Sequence, residues 1–267
     1  MKVTFLGTGT SQGVPIIACD CSVCRSSDSR DKRLRSSVLI ENEGQTYIID
    51  TGPDFRQQML RANVKRLDAV VFTHEHRDHI SGLDDIRAFN FVMKKAIDVY
   101  ADERVEEAIR KREYPYIFSK EQYPGIPEIT MHRIGKEPFM VGKTRFAPIQ
   151  VMHMKLPVLG FRTGKFTYIT DANFIAEEEQ QKIIGSEVVV INALRKEKHP
   201  SHFSLDEAIA LIARWKPKMA YLTHISHQLG KHADVEKELP GNIRLAYDGL
   251  TFKCKSQKSA QHLDEPL

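Results

Sequence analysis

No apolar run in this 267-residue chain approaches the roughly 20 residues needed to cross a bilayer, so nothing in it reads as a membrane segment. The start, Met1-Lys2-Val3-Thr4-Phe5-Leu6-Gly7, reaches glycine before a signal-peptide core can form, and a cytoplasmic protein is the expectation. Charge of one sign is also lacking. Lys and Arg number 39 against 35 Asp and Glu, a net +4, which permits an anionic substrate but is too weak and scattered for a dedicated nucleic-acid binder. Cysteine is scarce: there are four, three of them bunched at positions 19, 21 and 24, which is no disulfide framework. No stretch has the composition of a linker. With 41% hydrophobic and 28% charged residues, positions 1–254 are expected to form one large α/β domain, followed by a polar, disordered tail at 255–267.

Histidine, in contrast, is concentrated. Thr73-His74-Glu75-His76-Arg77-Asp78-His79 directly follows Asp68-Ala69-Val70-Val71-Phe72, a β-branched and aromatic run that reads as a buried strand. His74 and His76 are two apart in extended chain, so both imidazoles leave the backbone on one side. Asp78 and His79 come after the turn, at the entry to a helical-looking stretch from Gly82 to Lys95, and face a second point nearby. One metal suits the first pair and another the second. A solvated loop merely rich in histidine seldom interleaves three imidazoles with an aspartate at a strand end.

The remaining pattern alternates strands and helices. Ser37–Glu41 and Gln45–Ile49 read as a hairpin, and Asp54 as the cap of a helix over Phe55–Ala62. Glu103–Arg112 reads as a charged helix, and Ser204 with Glu207 forms a capping box for Leu205–Trp215. Strands are expected over Thr144–His153, Phe166–Thr170, Glu187–Asn192 and Lys218–Leu222, and the domain closes with a hairpin of Ile243–Ala246 and Leu250–Lys253. Cys19-Asp20-Cys21-Ser22-Val23-Cys24 lies in a loop. Three close thiols left unliganded would oxidise; a tetrahedral zinc site accounts for them but needs one more ligand.

At His74-Glu75-His76-Arg77-Asp78-His79 the sequence resembles the metallo-β-lactamase superfamily, whose HxHxDH hallmark is present without departure. The resemblance implies a four-layer αβ/βα sandwich with a two-metal site at the strand ends. It also implies His153 as third ligand to the first metal with His74 and His76. Asp78, His79 and His224 then serve the second, Asp171 bridges both, and Asp50 orients a metal-bound histidine. His227, three residues past His224, completes a structural zinc site with Cys19, Cys21 and Cys24. That Cys₃His set, with Gly7-Thr8-Gly9-Thr10-Ser11, resembles the PhnP-like branch, the phosphoribosyl 1,2-cyclic phosphate phosphodiesterases.

What the branch implies is hydrolysis of small, cyclic ribose phosphodiesters by a hydroxide bridging two manganese or zinc ions. His202, with His199 as its neighbour and competitor, contacts the phosphate and protonates the leaving oxygen. Homodimerisation is a further implication. Two alternatives share the ligands. A ribonuclease Z-like tRNA nuclease would also carry a basic glycine- and proline-containing arm, which the insertion at 101–127 does not resemble. A thioesterase or lactamase would not need the cysteine cluster.

Overall fold

The computed structural model describes residues 1–121 and 123–256, so most of the 255–267 tail lies outside the described residues. Among these the strands are β1 (Lys2–Gly7), β2 (Ser37–Asn42), β3 (Gln45–Ile49), β4 (Ala69–Val71), β5 (Ile97–Ala101), β6 (Ile129–Arg133), β7 (Phe139–Val141), β8 (Thr144–His153), β9 (Leu156–Thr163), β10 (Phe166–Tyr168), β11 (Val188–Asn192), β12 (Met219–Thr223), β13 (Ile243–Leu245) and β14 (Thr251–Lys253). The helices are α1 (Phe55–Arg61), α2 (Arg77–Ile80), α3 (Arg87–Met93), α4 (Glu103–Glu107), α5 (Glu177–Gln181), α6 (Leu205–Trp215) and α7 (His232–Glu238).

Two seven-stranded sheets run in the orders β14-β1-β2-β3-β4-β5-β6 and β13-β12-β11-β10-β9-β8-β7. Each joins an antiparallel half to a parallel one, β3 to β6 in the first and β10 to β13 in the second. Val3, Phe5, Ile40 and Tyr47 of one sheet meet Phe146, Phe161, Phe166 and Tyr168 of the other in a shared core. The outer faces are buried under helices, with Leu6, Ile48, Val70 and Val99 beside Phe55 and Phe89 on one side, and Val189, Ile191 and Leu222 beside Leu205, Ile212 and Trp215 on the other. This is the αβ/βα sandwich. The parallel strands read as continuous apolar runs because both their faces are covered.

The α6 boundaries match the expectation, and the Ser204–Glu207 capping box closes in both directions. Its Leu205, Ala208, Ile212 and Trp215 face the core, and each large side chain contributes on the order of 2 kcal/mol. Four readings need correction or narrowing. Ile243–Ala246 and Leu250–Lys253 are not a hairpin, because β13 pairs with β12 in the second sheet while β14 pairs with β1 in the first. The chain crosses between sheets at Asp248-Gly249, where Asp248 accepts from Thr8 and the Leu34 N–H. The stretch Gly82–Lys95 is a short 3₁₀ segment, Leu83–Ile86, running into α3. Asp54 makes no capping bond; its carboxylate is held by the Arg35 guanidinium and backbone N–H. The charged helix from Glu103 shortens to α4, continued by a wider π turn over Ala108–Glu113.

Candidate metal centre

The carboxyl ends of β3, β4, β10 and β12 converge, and the ligand-type residues sit where each strand stops. Asp50, Asp171 and His224, which follow three of these strands, have left-handed backbones with φ of 65°, 55° and 54°. Non-glycine residues adopt that conformation only where the surroundings enforce it, and such strain gathers at functional sites. Glycine permits a close approach here: a Cβ on Gly52 would overlap the Asp78 carbonyl oxygen, so the loop after β3 lies flush against α2.

Asp50 is fully buried and accepts from the Thr73 N–H (2.9 Å), the Thr73 hydroxyl (2.8 Å) and His79 Nδ1 (2.7 Å). Burial pushes its pKa up, against the opposing pull of His79. With Nδ1 committed to Asp50, His79 Nε2 stands 3.2 Å from Asp78 and 3.3 Å from Asp171, buried and without a hydrogen-bond partner among the described residues. Burial alone would lower the His79 pKa, but Asp78, Asp171 and Asp50 outweigh it and raise it well above the ordinary value. The gap between this nitrogen and two carboxylates is built for positive charge. One ligand atom each from Asp78, His79, Asp171 and His224 falls within 4.8 Å of the others. The donor set fits a divalent cation of the zinc or manganese type.

Asp171 lies at the middle. Its Oδ1 is 3.1 Å from His202 Nε2 and 3.2 Å from His224 Nε2. Burial opposes ionisation, yet His224 and His79 hold its carboxyl well below the usual range. The His224 ring is fixed from behind by the Ser36 hydroxyl at 3.2 Å, and burial lowers its pKa to about 4.

On the other side, His74 Nε2 faces His76 Nδ1 at 3.1 Å, and the His153 ring lies 5.2 Å from that of His76. Two facing imidazole nitrogens need a proton or a cation between them. His153 is oriented by donation from Nδ1 to the Ser201 carbonyl oxygen at 2.7 Å.

His202 sits deeper than a polar residue at a helix start would. Its ring stacks 4.9 Å from His224 and meets His153 edge-on at 4.6 Å. With His153 and Asp171 it forms a second group whose ligand atoms lie within 4.8 Å. His199 stays outside this group and reaches it through the Ser201 hydroxyl and through its own Nδ1, 3.4 Å from His202 Nδ1. Sequence reasoning missed Ser36, which orients His224, Thr73, which orients His74, and Ser201, which orients both His153 and His202. None carries a spacing signal, because a hydroxyl or carbonyl that orients a ligand is chosen by proximity in space.

Away from this centre, Cys19 and Cys21 Sγ lie 3.3 Å from His227 Nδ1 and Cys24 Sγ 3.6 Å from it. All four ligand atoms fall within 4.8 Å, and the cysteines are free of disulfides. The Cys24 N–H donates to Cys21 Sγ and lowers that thiol to about 6, while burial raises Cys24 to about 11.

Comparison with known proteins agrees with this picture. Residues 45–225 match the model of the β-lactamase superfamily domain. A crystal structure of a diphosphatase from the PhnP family superposes with a TM-score of 0.89 at 38% identity, covering 96% of this chain and 98% of that one. An octanoyltransferase from Porphyromonas gingivalis is 41% identical over 253 residues, which are 94% of this chain but 51% of that protein. A ribonuclease Z from Bacillus thuringiensis is 35% identical over 85 residues, 31% of this chain and 24% of that enzyme. The chain thus spans about half, or less, of the length of these curated relatives.

Proposed function

The chain belongs to the β-lactamase superfamily, in its PhnP-like branch, and from that premise we propose that this metal-dependent hydrolase is a phosphodiesterase acting on small, cyclic ribose phosphodiesters or related diphosphates. The observation that carries the reading is Asp171. One buried carboxylate is approached by imidazoles from α2, the loop before α6 and the end of β12, together with the neighbouring Asp78. In this reading His74, His76 and His153 would hold one divalent ion and Asp78, His79 and His224 a second, with the Asp171 carboxylate available to both. Zinc or manganese ions bound there would supply positive charge beyond that of the two carboxylates, favouring a phosphate oxyanion and the ionisation of a water at neutral pH.

The chain's own groups supply the rest. Asp50 keeps the His79 proton on Nδ1, so that Nε2 presents its lone pair. The Ser201 hydroxyl lies 2.9 Å from His202 Nδ1; donating there, it leaves the His202 proton on Nε2, the atom facing Asp171. His202 is thereby set to contact a phosphate oxygen and protonate the departing alkoxide. Cys19, Cys21, Cys24 and His227 are assigned to a structural zinc. We further propose a homodimer working in the cytoplasm, with a small phosphodiester as partner and neither membrane nor nucleic acid. No helix among the described residues is long and apolar enough to cross a membrane.

A substrate panel tests the reading. Ribose cyclic phosphates, 2′,3′-cyclic nucleotides, a diphosphate ester and bis(p-nitrophenyl) phosphate are run beside precursor tRNA and an octanoyl thioester. Turnover of the small phosphate substrates is expected. Cleavage of precursor tRNA alone would favour the ribonuclease Z reading, which the local 35% identity motivates, and turnover of the thioester alone would end both. His202→Asn is expected to cut kcat about 100-fold for alkyl leaving groups and much less for p-nitrophenolate, which departs without a proton.

A further inference from the structure

A second charged concavity lies at the other end of the second sheet and plays no part in the chemistry above. Arg145, the second residue of β8, and His153, its last, are about 26 Å of extended chain apart. Around Arg145 a cavity of about 410 Å³ is lined by Ala147, Arg162, Gly164, Lys165, Lys182 and Ser256. Four of its lining side chains are cationic, and among the described residues the lining contains no carboxylate.

These cations are held in place by carbonyl oxygens more than by acids. Arg162 donates from Nε to Gly164 O at 3.2 Å and from Nη1 to Lys182 O and Ile184 O at 2.7 and 2.8 Å. Its Nη2 has no hydrogen-bond partner among the described residues. Burial lowers the Arg162 pKa, and no neighbouring acid raises it. Lys165 Nζ donates to Gly185 O at 3.3 Å, and Arg145 is exposed with no polar partner among the described residues. Only Lys182 has an ion pair, to Glu179 at 2.8 Å; Glu187 is taken by Lys218.

Exposed basic side chains scattered over a surface need no ligand. Here one guanidinium is half-buried and fixed by three carbonyls, and its like-charged neighbours share the concavity. Their mutual repulsion is relieved by an anion that spans them. We propose that this cavity is a second anion site, distinct from the metal centre, that binds the diphosphate group of a small molecule. A diphosphate suits it better than a single phosphate because Arg145, Arg162 and Lys165, none of them in an ion pair among the described residues and only Lys165 within the field of Glu187, must be matched at once, and because a fixed guanidinium donor favours phosphate oxygens.

Titration calorimetry with imidodiphosphate, a non-hydrolysable diphosphate, into the metal-loaded full chain tests this. Two sites are expected for the wild type. R145E/K165E, both changes on exposed side chains, is expected to lose the distal site by at least ten-fold in affinity while keeping wild-type hydrolysis of bis(p-nitrophenyl) phosphate. Asp171→Asn is expected to show the reverse, distal binding without hydrolysis, so failure of the distal site and failure of the phosphodiesterase reading give different results. One site in the wild type, unchanged binding in R145E/K165E, or binding of an oligonucleotide with none of imidodiphosphate would each overturn the proposal.

Discussion

Two clusters of ligand-type residues meet on one four-residue segment, His224 to His227, and are built in opposite ways. The histidine–aspartate centre hangs from strand ends, with His74, His79 and His224 buried and individual rings fixed from behind by Asp50, Ser36 or Ser201. The cysteine cluster rides on the long connection from β1 to β2, which contains one 3₁₀ turn, Ser29–Asp31, as its regular structure. That connection has a core of its own made only of Val14, Val23 and Cys24, with Ile16, Cys19 and Cys21 packed against it. Its root is tied by polar groups: Arg33 donates to Thr8, to the Ala246 carbonyl oxygen and toward His232, and Asp31 accepts from the His232 N–H. The sheets hold the first cluster in place whatever binds there. A loop with so little apolar burial would, on the structural-zinc reading proposed above, draw its stability from an ion held by Cys19, Cys21, Cys24 and His227.

If that contrast is right, mutating the two clusters will have opposite signatures. Asp171→Asn is expected to lower turnover at least about 1,000-fold, some 4 kcal/mol in the barrier, with loss of catalytic metal by elemental analysis and little change in melting temperature. Cys24→Ser should do the reverse. A loss of about 3 kcal/mol, roughly 10 °C in melting temperature, is expected with kcat within about three-fold of wild type. Equal loss of turnover in both variants would show that the segment His224 to His227 transmits disorder and that the clusters are one unit.

The loop's polar root predicts a pH effect. Burial, aided by Arg33 and Arg30, depresses the His232 pKa to about 4 from its ordinary 6.5. Between those values the unfolded chain binds a proton that the folded chain refuses. The associated stability is therefore present above pH 6.5 and is lost as pH falls toward 4. Up to ~3 kcal/mol is at stake, and His232→Gln should flatten that part of the urea-denaturation profile relative to wild type.

The smallest effect concerns the insertion at 101–127. Arg104 pairs with Glu75, Glu113 with Arg77, Tyr114 donates to the Ile80 carbonyl oxygen at 3.0 Å and Tyr116 to Asp84 at 2.5 Å, so this segment clamps the turn carrying Asp78 and His79. Tyr114→Phe is expected to cost about 1 kcal/mol of stability and to weaken metal retention a few-fold in competition with a chelator.

Much of this was legible in the chain. His74, His76, Asp78 and His79 are local, and an apolar strand followed by ligands announces itself by pattern. His153, Asp171 and His224 close three other apolar runs, yet only a resemblance gathers them, because spacing cannot tell which strand ends become neighbours. Asp54 shows the limit on the other side. It stands where a cap belongs, but Arg35 from a distant loop competes for the same carboxylate and takes it. The supposed closing hairpin failed for a like reason: two short strands near in sequence found better partners in separate sheets.

By itself the sequence determined the chemical inventory and the alternation of elements, since ligand type and hydrophobic period are properties of neighbouring residues. Only the tertiary structure decided which imidazole faces which carboxylate, which hydroxyl orients each ring, and that Arg145, Arg162, Lys165 and Lys182 share one concavity. Those relations depend on how two sheets pack. Packing brings together side chains as far apart in sequence as Thr8 and Asp248, 240 residues, a distance along the chain over which no local preference reaches.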